Sequence, residues 1–149
     1  MAIFPTRASL EAMRDPELLA RWNTLAAVRE RVLAEIEPLR KNKQIGSSLQ
    51  AKVVLRAGPT MLRLLQRHAR DLPMLFIVSE VDLEAGEAGM AGEAVRDDEL
   101  PVVVIERAGG VKCERCWRYV PFVVTDPTSP WAGLCERCQD ALSKDDRAA

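Results

Sequence analysis

Between Leu18 and Leu39 apolar side chains return every three or four positions: Leu18, Trp22, Leu25, Val28, Val32, Ile36 and Leu39. Arg21, Arg29, Glu30, Arg31 and Glu35 fall off that stripe. The period predicts one long amphipathic helix with a packing partner. Asp15 and Pro16 suit the N-cap and first helical position, and Glu17 complements the dipole. Pro38 lacks a backbone donor and predicts a kink or end near Glu37, with residues 39–43 as a loose extra turn. After Ile45-Gly46-Ser47-Ser48 the period changes to two. Leu49, Ala51, Val53 and Leu55 then share one face, and Gln50, Lys52 and Arg56 share the other, which predicts a half-buried strand. Gly58-Pro59 ends it. Residues 60–70 read as a helix with Met61, Leu62, Leu64, Leu65, His68 and Ala69 near its buried side, stopped by Pro73. Leu75-Phe76-Ile77-Val78 then begins a second strand running to about Leu83. Val102–Ile105 is a third, apolar on both faces and so expected to be central or covered. The intervening residues 84–98, with Gly86, Gly89 and Gly92 among acidic side chains, read as a loop.

These elements predict an α+β fold: a long N-terminal helix, a small sheet with one packed helix, and a C-terminal metal hairpin. The boundaries fall at 1–45 for the helical segment, 46–107 for a small α/β unit, 108–144 for a cysteine-bearing module and 145–149 for a flexible tail. With 149 residues, 48% of them apolar, the chain is neither disordered nor a multidomain assembly. No apolar run reaches the length of a membrane span. The first residues lack the apolar core of a secretory signal, which predicts a cytoplasmic protein in a reducing compartment. Residues 1–72 carry a charge of +6, residues 73–106 carry −8 and the remainder +1. A basic first part suits an anionic partner such as RNA, or is simply a solvated surface next to an acidic one.

Cys113-x-x-Cys116 and Cys135-x-x-Cys138 are separated by 18 residues. Each pair lets a tight turn aim two thiolates at one ion, and two such turns complete a tetrahedral four-sulfur shell that selects zinc. The reading is one closed, structural Zn2+, with Trp117–Val124 strand-like and Asp126–Pro130 a turn. Dithiol redox chemistry competes, but it needs only one such pair in a thioredoxin-like setting. A module this small has little apolar core, so metal binding supplies much of its folding energy. Lys112, Arg115, Trp117, Arg118 and Arg137 lie within two residues of a cysteine. They either offset the charge of a four-thiolate centre or reach RNA phosphates, with Trp117 as a lid or a stacking face.

Lys112-Cys113-Glu114-Arg115-Cys116-Trp117 and Leu134-Cys135-Glu136-Arg137-Cys138 resemble the C-terminal zinc finger of bacterial isoleucyl-tRNA synthetases. Upstream, WNTLAAVR (22–29), RKNKQIGSSLQA (40–51) and Leu75–Ser79 are similar to that family's junction between its anticodon-binding helical bundle and its C-terminal domain, so the likeness covers about residues 3–142. It implies that residues 1–45 end the bundle, that Cys113, Cys116, Cys135 and Cys138 hold the zinc, and that the partner is an isoleucine-accepting tRNA. The RNA-contact candidates it suggests are Arg115, Trp117, Arg118 and Arg137 from the finger, and Arg40, Lys41 and Lys43 from the helix end. The latter three equally suit a solvated helix terminus.

The family's adenylate-forming signatures, His-Ile-Gly-His and Lys-Met-Ser-Lys-Ser, have no counterpart: the one histidine is His68 and no Lys-Met pair exists. The expectation is a non-catalytic piece of such a ligase, with no catalytic residue of its own and the catalytic portion as a possible partner. His68 has no recognisable nucleophile or carboxylate companion, the glycines of 86–92 lack the context of a phosphate loop, and Asp97-Asp98-Glu99 reads as surface. Two other readings remain open. One is a free-standing nucleic-acid-binding protein, since Cys-x-x-Cys-Gln ending at Gln139 is also similar to the finger of formamidopyrimidine-DNA glycosylases, although the chain begins Met1-Ala2 rather than with a proline nucleophile. The other is a protein-docking module that uses the Trp22 face of the long helix.

Overall fold

The computed structural model describes residues 6–86 and 99–145. A short helix α1 (Arg7–Ala12) precedes the long helix α2 (Pro16–Lys41). The Asp15 carboxylate caps α2 by accepting from the Leu18 amide at 3.0 Å, and Pro16 opens the first turn. Leu25, Val28, Val32 and Ile36 are buried as the stripe requires, with Leu39 packed beside them. Leu18 and Trp22 are not: Trp22 is 46% exposed, so the buried stripe starts at Leu25, about two turns later than the periodicity implies. Pro38 does not end the helix. It lies within the last turns, where the missing amide is a single lost bond and the chain continues to Lys41.

A single 3₁₀ turn (Ser48–Gln50) leads into β1 (Ala51–Ala57), two residues later than the alternation suggests. Helix α3 (Pro59–Arg67) follows, then α4 (Leu72–Phe76), β2 (Glu80–Ala85) and β3 (Val102–Arg107). Two expectations are corrected here. The segment from Leu75 is not strand: Pro73 starts α4 rather than stopping a helix, and β2 begins only at Glu80. The helix expected over 60–70 ends at Arg67, with His68 half-buried at its C-cap and Ala69 exposed. More than one helix therefore packs on the sheet: α2, α3 and α4 all cover its inner face. Of the expected glycine loop, Glu84 and Ala85 belong to β2 and the Gly86 amide donates to the Ala57 carbonyl. Residues 87–98 lie outside the described residues.

The sheet order is β2-β1-β3, with β1 parallel to β2 and antiparallel to β3. Strand β1, buried along its helix-facing side, is thus central, and β3 is an edge strand covered on one face, which corrects the central placement its apolar run allowed. Register puts Val53 between Val81 and Ile105, and Leu55 between Leu83 and Val103, all facing the helices. On the opposite face the Lys52 ammonium lies 2.7 Å from Asp82 and within 4 Å of Glu80 and Glu106. The hydrogen bond to Asp82 holds Lys52 above the ordinary lysine range against partial burial, with those carboxylates adding to the effect.

The module after β3 has its own short hairpin, β4 (Val111–Lys112) with β5 (Tyr119–Val120), and a closing helix α5 (Glu136–Asp145). The long strand expected over 117–124 shrinks to two residues, because the first cysteine turn forces Trp117 to φ 62° and breaks extension. The expected turn at Asp126 is present: its carboxylate accepts from the amide and the hydroxyl of Thr128, which holds it below the usual carboxylate range. Asp145, placed in the tail by the sequence reading, closes α5; residues 146–149 lie outside the described residues.

Candidate metal centre

The two cysteine turns come from different local structures. In the first, the Cys113 amide donates to the Arg118 carbonyl across the hairpin, and the Trp117 amide returns to the Cys113 carbonyl. In the second, Cys135 precedes α5 and its carbonyl accepts from the amides of Cys138 and Gln139 in the first turn. Gly133, at φ 73°, links them, since its carbonyl accepts from the Glu114 amide at 3.1 Å.

All four sulfurs lie within 4.8 Å of one another. Cys113 Sγ is 3.8 Å from Cys138 Sγ, and Cys116 Sγ is 3.8 Å from Cys135 Sγ. Four sulfurs about 2.3 Å from one tetrahedral zinc are about 3.8 Å apart, so these edges fit that ion. The cysteines are free thiols, not disulfides, and the set is closed by burial of Cys113, Cys135 and Cys138. The Cys135 amide points at Cys113 Sγ from 3.4 Å. Burial pushes the Cys113 thiol up, but the amides of Cys116, Cys135 and Arg115 more than offset this and bring it to about 6. Burial pushes Cys135 up to about 12 and raises Cys116 as well. Thiolates this close repel each other, and a divalent cation among them is what lets all four ionise together.

The basic neighbours divide by role. Arg115 Nη1 sits 3.8 Å from Cys138 Sγ, where it offsets thiolate charge, yet its side chain remains exposed. Arg118 is turned inward and donates to the Ser79 carbonyl. Trp117 is 59% exposed with Lys112 Nζ 5.4 Å from its ring, so it is no lid over the sulfurs. Arg137 is exposed on α5. At the end of α2, Arg40 and Lys41 both approach Glu37, at 3.4 and 3.9 Å, and Lys43 lies beyond the helix at φ 58°. His68 stands 6.2 Å from the Trp22 ring.

Ser79 was not singled out by the sequence, yet it joins the two parts of the molecule. It is 4% exposed; its hydroxyl donates to the Leu49 carbonyl and accepts from the Tyr119 amide, both at 2.6 Å. With Arg118 on its carbonyl, it ties the hairpin to the start of β2 and fixes the sulfur cluster against the sheet. A lone serine before a strand carries no sequence signal for this, because both partners are distant in the chain.

No family model matches the chain. Curated relatives do. The isoleucine–tRNA ligase of Desulforudis audaxviator is 42% identical over 131 residues, 87% of this chain and 14% of that ligase. Those of Geobacter sulfurreducens and Desulforamulus reducens are 40% and 39% identical over the same length and shares. The chain thus spans 14% of the length of these curated relatives. Over nearly nine-tenths of its residues, this chain is related to a segment of the isoleucine–tRNA ligases.

Proposed function

We propose that the chain is a zinc-binding, tRNA-binding module of an isoleucine–tRNA ligase, working in the cytoplasm in aminoacylation. The observation that carries this is the cluster of four free cysteine sulfurs at tetrahedral spacing in a chain related to those ligases. Cys113, Cys116, Cys135 and Cys138 hold one Zn2+, which shapes the finger and takes no part in bond making. The division into 1–45, 46–107 and 108–144 follows the helical, sheet and finger portions. The isoleucine-accepting tRNA is held by exposed finger residues: Arg115 and Arg137 supply phosphate contacts, and Trp117 offers a ring to an unpaired base. Arg118 supports them from beneath, and Arg40, Lys41 and Lys43 extend the basic surface. ATP-dependent activation of isoleucine belongs to the portion of the ligase outside the matched segment. That portion is also the partner for the exposed Leu18, Leu19 and Trp22 on α2.

Metal analysis of the purified chain should give one zinc per chain, and Cys135→Ser should abolish it. A tRNA titration with and without a zinc chelator, at two salt concentrations, tests the RNA reading. Binding should fall with salt through counterion release and fall again when zinc is removed. Affinity indifferent to both would overturn it.

A further inference from the structure

Arg70, in the turn between α3 and α4, lies far in sequence from the cysteines, yet it lines a cleft of about 600 Å3 together with Arg115 and Arg137 of the finger. The rest of the lining is Glu136, Asp140 and Ala141 on α5. Among the described residues, none of the three guanidiniums forms an ion pair, although two carboxylates share the cleft; the acidic partners on the surface go instead to Arg7, Arg31, Arg40 and Arg56. Three arginines left without carboxylate partners at one cleft make a site for an anion with several oxygens. Arg137 also lines a groove with Pro73, Met74 and Ile77, and a third with Phe122 and Gln139. A basic point common to three depressions suits a chain of charges rather than a single small anion.

We propose that Arg70 closes a phosphate clamp with Arg115 and Arg137, and that the clamp takes the phosphodiester backbone of RNA across the junction between the sheet unit and the finger. This rests on the tRNA-binding reading above and adds a contact from outside the finger. The Ser79 and Arg118 contacts, with Gln50 donating to the Tyr119 hydroxyl, help seat the finger beside the α3–α4 turn. It follows that metal binding and RNA binding are linked through position: a folded finger brings Arg115 and Arg137 up to Arg70. Glu136 and Asp140 weaken the clamp by repulsion and limit it to a small surplus of positive charge.

The experiment uses the zinc-loaded chain and an unmodified tRNA transcript, titrated over a range of salt. Arg70→Ala should lower affinity and reduce the slope of log K against log salt by about 0.7–0.9, the loss of one phosphate contact. Arg63→Ala removes the same charge from the exposed side of α3, where Arg63 donates to the Thr60 hydroxyl, and should leave slope and affinity close to wild type. Asp140→Asn should tighten binding, the opposite sign, while zinc content stays at one per chain for all three variants. Equal effects of Arg70→Ala and Arg63→Ala, in a wild-type chain that does bind the transcript, would overturn the clamp alone. A wild-type chain with no affinity for the transcript would overturn both the clamp and the tRNA reading.

Discussion

At Gly110 the backbone takes φ 88°, and a Cβ there would stand 2.1 Å from the Val120 carbonyl oxygen. That oxygen belongs to the hairpin backbone and has no freedom to move aside. Gly110→Ala is therefore expected to destabilise the finger by more than about 1 kcal/mol, read as a lower denaturation midpoint and weaker zinc retention; an unchanged midpoint would count against the hairpin geometry. Trp117 presents the reverse case. It holds φ 62° in the left-handed region while exposing its ring, a conformation that costs a side-chain-bearing residue about 1 kcal/mol or more. A strained, solvent-facing aromatic is better explained by a partner than by stability. Trp117→Gly should keep zinc and hold or raise the unfolding midpoint while weakening tRNA binding. Undiminished binding would leave the ring without the stacking role proposed for it.

Among the elements, the link between finger and sheet depends on few groups, and the Ser79 hydroxyl serves two of them at once. Ser79→Ala leaves the Tyr119 amide and the Leu49 carbonyl without their partner in a buried place, a loss of about 1–3 kcal/mol. The expected result is faster hydrogen exchange at the Tyr119 amide with zinc content unchanged, because no sulfur contact involves Ser79; loss of zinc would mean that the cluster depends on docking. Contacts of this kind also mark the limit of what the sequence made legible. Helix α2 and strand β1 could be read because periodicity is local. The cysteine set could be read because two residues between ligands is itself the geometry of a metal turn. The run Leu75–Val78 suggests a strand but lies at the end of α4 and the turn after it, because a short apolar stretch does not distinguish buried helix from strand. Pro73 serves as well at a helix start as at a helix stop. Arg70 and Ser79 were invisible because their partners lie dozens of residues away in the chain.

On the scale of the whole molecule, the buried side chains form two groups, not one. The larger runs from Leu25 to Val78, with Val103 and Ile105 packed against it; the smaller holds Cys113, Val123, Cys135 and Cys138 with Val120 and Leu134 beside them. The first is assembled from aliphatic and aromatic burial and needs no ion. The second is largely sulfur, and its order depends on whatever draws the thiolates together. Zinc removal by a chelator at neutral pH should therefore erase amide protection across residues 111–142 while Val28, Val53 and Phe76 keep theirs. Acidification should do the same, since protons compete with the cation for each sulfur and every ligand must be ionised to bind. The sign follows from the chemistry of the ligands: metal-dependent stability is present at neutral pH and lost as pH falls. Hydrogen exchange read by mass spectrometry separates the two regions within one sample. Simultaneous loss of protection in both would mean that the sheet core cannot stand without the finger, and the seam around Ser79 would then be carrying far more than its hydrogen bonds can explain.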